Sequence, residues 1–345
     1  MILIVSDKWY CSTQIASALV DVLAGEEVLY LAGLARFSLS PSYPRNLKYA
    51  SFPILLEPEY AVRPTLDQDG PEAYMRLHRC VEGKTTSLPP CDRNAVSELL
   101  ARAEKVILAP DQNIINAWAV WKLVTTLGGA DIEEKLFIVE GLLFYPPELI
   151  RDRFANMFQS GSTGYERQIS PGKIKRFFDY NFDINSSAVL GKLYQSVCGR
   201  HPQHNMSKYM LQALYWLQEQ EWVETEDVDQ RLQQWPGTGR HAPSEFWMLH
   251  GLGSVLSRRR MMTQLFEVGL VEIRRENPIV EHSLLGYTIS EKGSAYLGRL
   301  HKDCRDPDLP YRLEAWMGLP EEEAKAKISS YLRRFFGQQK RKQKL

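Results

Sequence analysis

Neither sign of charge is in surplus in this 345-residue chain: 42 basic residues balance 42 acidic ones, so no overall field draws it to nucleic acid or to a membrane surface. Any electrostatic footprint must come from local clustering. Cysteine is scarce and scattered. Cys11, Cys80, Cys91, Cys198 and Cys304 are odd in number and have no close pairs, which fits neither a disulfide framework nor a spaced zinc site and predicts a reducing compartment, the cytoplasm. Long apolar runs are missing too. None approaches the roughly 20 residues of a membrane span, and the opening Met-Ile-Leu-Ile-Val has no basic start and meets Asp7-Lys8 too early for a secretion signal. A protein without a membrane partner is expected. What is present is ordinary globular composition, 44% hydrophobic and 24% charged, at a length for which two domains are the default.

The most informative stretch runs from Lys105 to Trp121. Its Val-Ile-Leu-Ala run, bounded by Pro110, predicts a strand covered on both faces, and Ile114, Ala117, Trp118 and Trp121 then recur at helical spacing. Asp111 is delivered to the turn between them, where open sheets place their ligands. Met1 to Val5 predicts another buried strand, with Asp7 at its end and Ser12 as the cap of a following helix. Asp7 and Asp111 could meet at one sheet edge; alternatively Asp7 only favours the positive end of that helix. Residues 27–33 read as a strand and 92–104 as a helix capped by Asp92. Residues 38–88, rich in Pro, Tyr and Ser, make an unusually long connection unless they wrap a site.

These segments resemble a known family. Asp7-Lys8 after the first strand is similar to the Glu-Lys that opens the Toprim fold of topoisomerase III. Tyr30 to Gly33, Pro41, Tyr43, Leu47-Lys48, Phe52-Pro-Ile54, Pro58 and Pro64 resemble its Gly-His loop and Leu-Pro-Ile segment. Val106 to Asp111 resembles the strand ending in Asp-x-Asp-x-Glu-Gly-Glu, and Lys135 to Ile138 the strand after it. The departures fall on the chemistry: Asp7 stands in place of Glu, Asn113 in place of the second Asp, and Ile114, Ile115 and Ala117 in place of Arg and two Glu. The resemblance implies a Toprim, Rossmann-like parallel sheet over residues 1–158. Its metal site would be reduced to Asp7 and Asp111, with Lys8 and Asn113 as the other residual catalytic positions. Magnesium, which needs several oxygen ligands, is then expected to bind weakly or not at all, leaving no cofactor.

In the second half, Arg176 to Ser187, with Asp179, Tyr180 and Asn185, resembles the family's Asp-Trp-x-x-Gly-x-Asn-x-Thr-Arg segment, and Gly199-Arg200 the start of Gly-Arg-Val-Gln-Thr-Pro. The family's arch and its Tyr-Pro-Arg-Thr nucleophile have no counterpart, and Tyr209 and Tyr215, spaced among Leu and Trp, read as helix core. Gly251 to Leu265 is similar to Gly-Ile-Gly-Thr-x-x-Thr-Arg-x-x-Ile-Ile, and residues 270–289 look like the hairpin of a winged helix. A mainly helical, winged-helix-like domain over 159–318 and a basic helix or tail over 319–345 are expected.

Independently of any name, Ser257 at a helix start followed by Arg258, Arg259 and Arg260 favours an anion there, since three cations oppose the helix dipole. A purely structural winged helix with a solvated basic face is the other reading. The tail carries Lys325, Lys327, Arg333, Arg334, Lys340, Arg341, Lys342 and Lys344 with Tyr331, Phe335 and Phe336 interleaved, a composition suited to phosphate neutralisation and base stacking or to a frayed, solubilising end. The resemblance thus implies a DNA-binding accessory protein without strand passage. Single-stranded DNA would lie along Lys8, Asn185, Arg200, Ser257 to Arg260 and Lys340 to Lys342. A Toprim-type nuclease, a topoisomerase core completed by a protein partner in a DNA-processing complex, and an assembly factor that no longer touches DNA stay open.

Overall fold

In the computed structural model, which describes residues 1–33, 39–62, 76–81, 84–89, 91–142, 146–240, 251–275 and 285–344, the chain divides into two units. Unit 1 comprises Met1–Ser42 and Pro58–Arg176, and unit 2 comprises Tyr43–Glu57 and Phe177–Leu345. Pro64, part of the motif match above, lies outside the described residues.

Unit 1 is α/β. Its elements are β1 (Ile2–Ser6), α1 (Trp9–Leu19), β2 (Val28–Ala32), β3 (Leu39–Pro41), β4 (Tyr60–Val62), β5 (Arg76–Val81), β6 (Lys84–Ser87), α2 (Arg93–Arg102), β7 (Lys105–Leu108), α3 (Ile114–Leu127), β8 (Leu136–Ile138), α4 (Pro147–Ala155) and β9 (Phe158–Gln159); α5 (Thr163–Asn185) begins in unit 1 and ends in unit 2. The seven-stranded sheet has the order β6-β5-β2-β1-β7-β8-β9. Its inner strands β2, β1, β7 and β8 are parallel, and the outer strands pair antiparallel. Successive side chains go to opposite faces. Leu3, Val5, Val106 and Leu108 join Leu100 of α2 and Val120 and Leu123 of α3 in one core. Ile4 and Ile107 join Ile15 and Leu19 of α1 and Ile150 and Phe154 of α4 in the other. Covering both faces is why β1 and β7 read as continuous apolar runs rather than alternating ones.

Two local expectations are settled by hydrogen bonds. Asp92 caps α2 by accepting from the Ala95 amide at 2.8 Å. Ser12 does not cap α1, which starts at Trp9 with Lys8 in the cap position. Buried inside the helix, Ser12 instead shares a 2.7 Å hydrogen bond with the Ser6 hydroxyl, so it fastens α1 to the end of β1. The long connection 38–88 is not structureless: β3 pairs with β4, β5 and β6 extend the main sheet, and residues 43–57 belong to unit 2.

Unit 2 is mainly helical. After α5 follow α6 (Gly191–Cys198), α7 (Lys208–Gln220), β10 (Val223–Glu224), α8 (Val228–Gln233), α9 (Val255–Glu267), β11 (Val271–Arg275), β12 (Leu285–Ile289), α10 (Glu291–Arg299), α11 (Leu309–Met317) and α12 (Glu321–Lys342). β10, β12 and β11 form a small antiparallel sheet in that order. The basic terminal segment is not a tail. It is an amphipathic helix whose Ile328, Tyr331, Leu332, Phe335 and Phe336 are buried, with Phe182 of α5 edge-on to Phe336 at 5.2 Å. The interleaved aromatics therefore serve packing rather than base stacking, because they recur at the three- and four-residue steps that build one helix face. Three glutamates in the first turn and three cations in the last complement the helix dipole.

Residues 43–57 are held in unit 2 by a pair of amides. Asn181 accepts from the Leu56 amide at 2.7 Å and donates to its carbonyl at 2.9 Å; Asn185, one helical turn on, does the same for Ile54 at 2.9 and 2.7 Å. Side chains four apart on a helix rise by about 6 Å. Alternate residues of an extended strand are separated by roughly 6.6 Å. The two amides thus act as a substitute neighbouring strand.

Candidate functional site

The edge to which the resemblance assigns only a residual metal site is assembled from β1, β7 and the start of α3. Asp7 and Asp111, 2% and 6% exposed, face each other there. The Asp111 amide donates to Asp7 Oδ1 at 2.9 Å, and the Asn116 side-chain amide donates to Asp7 Oδ2 at 2.8 Å. Asn116 also donates to both Asp111 oxygens, at 3.0 and 3.1 Å. The Asn113 amide donates to Asp111 Oδ1, and the Lys8 ammonium to Asp111 Oδ2 at 2.5 Å. Asn113 spends its own carbonyl oxygen on capping α3, where it accepts from the Ile115 amide. Burial first, then the negative charge of Asp111, pushes the Asp7 carboxyl up to about 6.

This donor set does not fit magnesium. Hard cations need several free oxygens, whereas here each carboxylate oxygen already accepts from a protein donor and an ammonium lies against Asp111. Among the described residues no group of three or more His, Cys, Asp or Glu is arranged to hold a metal ion. Asn116 is the residue that the sequence reading passed over. A single amide between Ile115 and Ala117 on an otherwise apolar helix start was its visible signal. Beside this edge a cleft of about 280 Å³ opens past the ends of β7 and β8, lined by Gln112, Asn113, Ile114, Glu140, Arg153 and Arg167 among others.

The expected DNA contacts fall into two groups. Some are used inside the fold. Arg258 is 1% exposed; its guanidinium donates to Asp229 Oδ1 at 2.9 Å and to the Gly253 carbonyl at 2.6 Å. The anion that three cations at a helix start call for is, for Arg258, the Asp229 carboxylate of α8. Asn185 is fully buried in its bonds to Ile54 and to the Asn181 carbonyl. Lys340 donates to the Ala50 and Phe52 carbonyls, and Lys342 to those of Gly298 and Leu300. Lys8 is engaged with Asp111. The others, Arg200, Ser257, Arg259, Arg260 and Arg341, are exposed, although the Ser257 hydroxyl shares a 2.9 Å hydrogen bond with that of Ser254. The Gly-Leu-Gly that precedes α9 has a backbone reason. Gly251 has φ +51°, and a Cβ there would come within 2.2 Å of the Gln233 carbonyl, so the loop lies against the end of α8.

Unit 2 also contains a cleft of about 490 Å³ that no single motif marked. Tyr43, Tyr49 and Phe52 from the docked segment meet Asp183, Ser187, Lys192, His201 and Asn205 around it. Tyr43 is 39% exposed and its ring lies 5.1 Å from that of Tyr180, tilted by 32°. Lys192 sits 4.1 Å above the centre of the Tyr49 ring, and burial pushes the Tyr49 phenol up. The adjacent Gly199, with φ +72°, ends α6 and turns the chain through Arg200 into His201. On α7, Tyr209 and Tyr215 are partly buried, and in both cases burial raises the phenol. No protein-family model matches the chain, and no curated protein matches it either. No helix among the described residues is long and apolar enough to cross a membrane.

Proposed function

We propose that the protein binds single-stranded nucleic acid through unit 2, as an accessory factor built on the plan of the type IA topoisomerases but without strand passage. The observation that carries this reading is the cleft in which the exposed Tyr43 ring and the Tyr49 ring lie with Lys192 and His201, beside Asp183. Aromatic faces give unpaired bases a surface on which to stack, and nearby cations neutralise the phosphates between them. Two further features support it. The order of the described elements α7, β10, α8, α9, β11 and β12, with β10 pairing to β12, supports the winged-helix reading. Arg259 and Arg260 are exposed on its α9, and neither side chain has an ion pair or hydrogen bond with a described residue.

The network at Asp7 and Asp111 favours binding without metal-assisted cleavage, because its carboxylate oxygens already accept from protein donors and the Lys8 ammonium lies against Asp111. The parallel sheet of unit 1 then acts as a Toprim-like scaffold. A direct test is fluorescence anisotropy with a labelled six-residue oligothymidylate. Tyr43→Ala and Lys192→Ala should each weaken binding by about tenfold, the order expected for one lost stacking or phosphate contact. Unchanged affinity in both variants would refute the assignment of the cleft.

A further inference from the structure

Among the described residues, α12 presents a face that its packing does not explain. Its aromatic side is buried in unit 2, and no acidic residue follows Glu323 in the sequence. On the opposite side Lys327, Arg333, Arg334, Arg341 and the following Lys344 are exposed. At 100° per residue, residues 327, 333, 334, 341 and 344 fall within one sector of roughly 120°. Small residues separate them: Ala326, Ser330 and Gly337 share the sector, and a Cβ added at Gly337 would meet nothing within 4 Å. Lys327 is paired with Glu323 at 2.8 Å, and Arg334 lies 4.0 Å from Asp303, at the limit of an ion pair. Arg333 and Arg341 make no side-chain ion pair or hydrogen bond with a described residue. The face also leads somewhere. The last turns of α12 join the rim of the aromatic cleft, where Gln343 accepts from the Tyr49 hydroxyl at 2.6 Å and Lys340 donates to the Phe52 carbonyl at 2.6 Å.

We propose that this outward face of α12 is a second contact surface for the sugar–phosphate backbone of a single nucleic-acid strand, carrying it onward from the aromatic cleft. The inference rests on the reading of that cleft as a nucleic-acid site. Three of the exposed cations are arginines, whose planar forks match phosphate oxygens in pairs. From Lys327 to Arg341 the helix rises about 21 Å. That length accommodates about six nucleotides at the 3.4 Å rise of a stacked strand. An anionic membrane is the poorer partner, since the apolar side of α12 is buried within unit 2 and none of it is left to enter lipid.

The full chain and its Arg333→Gln/Arg341→Gln variant are compared by anisotropy with labelled oligothymidylates of 6 and 30 residues across a salt series. Both side chains are exposed and make no ion pair or hydrogen bond with a described residue, so the melting temperature should fall only by the small helix-dipole share of Arg341. On a single strand each phosphate contact contributes about 0.7 to the log–log salt slope, so the slope for the 30-mer should flatten by about 1.4. At 0.1 M salt this corresponds to roughly 25-fold weaker binding. The 6-mer, which fills only the cleft, should bind as before. Equal binding of the 30-mer by the variant and the original chain overturns the α12 surface and leaves the cleft standing. Failure of the original chain to bind either oligomer overturns the cleft reading and the surface with it. Loss of binding to phosphatidylserine vesicles in the variant, with the 30-mer unaffected, overturns nucleic acid as the partner of this face.

Discussion

The Lys8 ammonium lies 2.5 Å from Asp111 Oδ2, bringing together residues 103 positions apart at the ends of β1 and β7. It puts a permanent cation against the carboxylate that a hard metal would otherwise use. Lys8→Ala should remove about 2 kcal/mol of stability, less than a fully buried pair would lose because the lysine is 29% exposed. In that variant, millimolar magnesium should recover part of the lost melting temperature, while the original chain should not respond. Scanning fluorimetry with and without magnesium decides it, and a larger magnesium effect on the original chain would sink the idea.

Asp7 makes stability depend on pH. Its carboxyl titrates at about 6 in the fold against 3.8 as a free group, so the folded state holds the proton longer than the unfolded chain does. The associated stability is fully present below about pH 4 and is lost as pH rises through 6, on the order of 3 kcal/mol in all. Asp7→Asn removes this titration. The substitution should raise the melting temperature at pH 7.5 by several degrees more than at pH 4.5. A shift of equal size at both values would contradict this account.

Asn185→Ala should cost about 2 kcal/mol or more, because it leaves the Ile54 amide and carbonyl without their partners. Chemical denaturation measures the loss, and hydrogen exchange locates it. The Ile54 and Leu56 amides should lose protection together, and retained protection at Ile54 would show that another group holds the segment.

Gly337→Ala should stabilise the chain by about 1 kcal/mol, since the site is helical, the added methyl meets open space, and glycine is a poor helix former. Thermal denaturation checks this directly. A lower melting temperature would mean that something in unit 2 occupies the gap.

The strand through Val106 to Leu108, the turn at Asp111 and the helix after it were legible because apolar run and helical period are local properties of the sequence. Partnership was not. Three consecutive arginines point in directions about 100° apart, and it takes partners such as the carboxylate of Asp229, 29 positions away, to draw Arg258 inward. Tyr331, Phe335 and Phe336 look like aromatics interleaved with cations until their spacing from Ile328 and Leu332 is read as one buried face. Asn116 escaped notice because its significance depends on two carboxylates that converge from different strands. The aromatic cleft is assembled from residues 43–52 and 183–205, which nothing in the local pattern joins.

The amide pair that holds residues 54 and 56 also sets a timetable. Asn185 follows Ile54 by 131 positions and Asn181 follows Leu56 by 125, so the segment leaves the ribosome long before its partners exist. At roughly 5–20 residues per second, that interval is about 6 to 26 s. Throughout it Phe52, buried in the finished fold, has no native surface to cover it, so this short stretch can be secured only after α5 has been made.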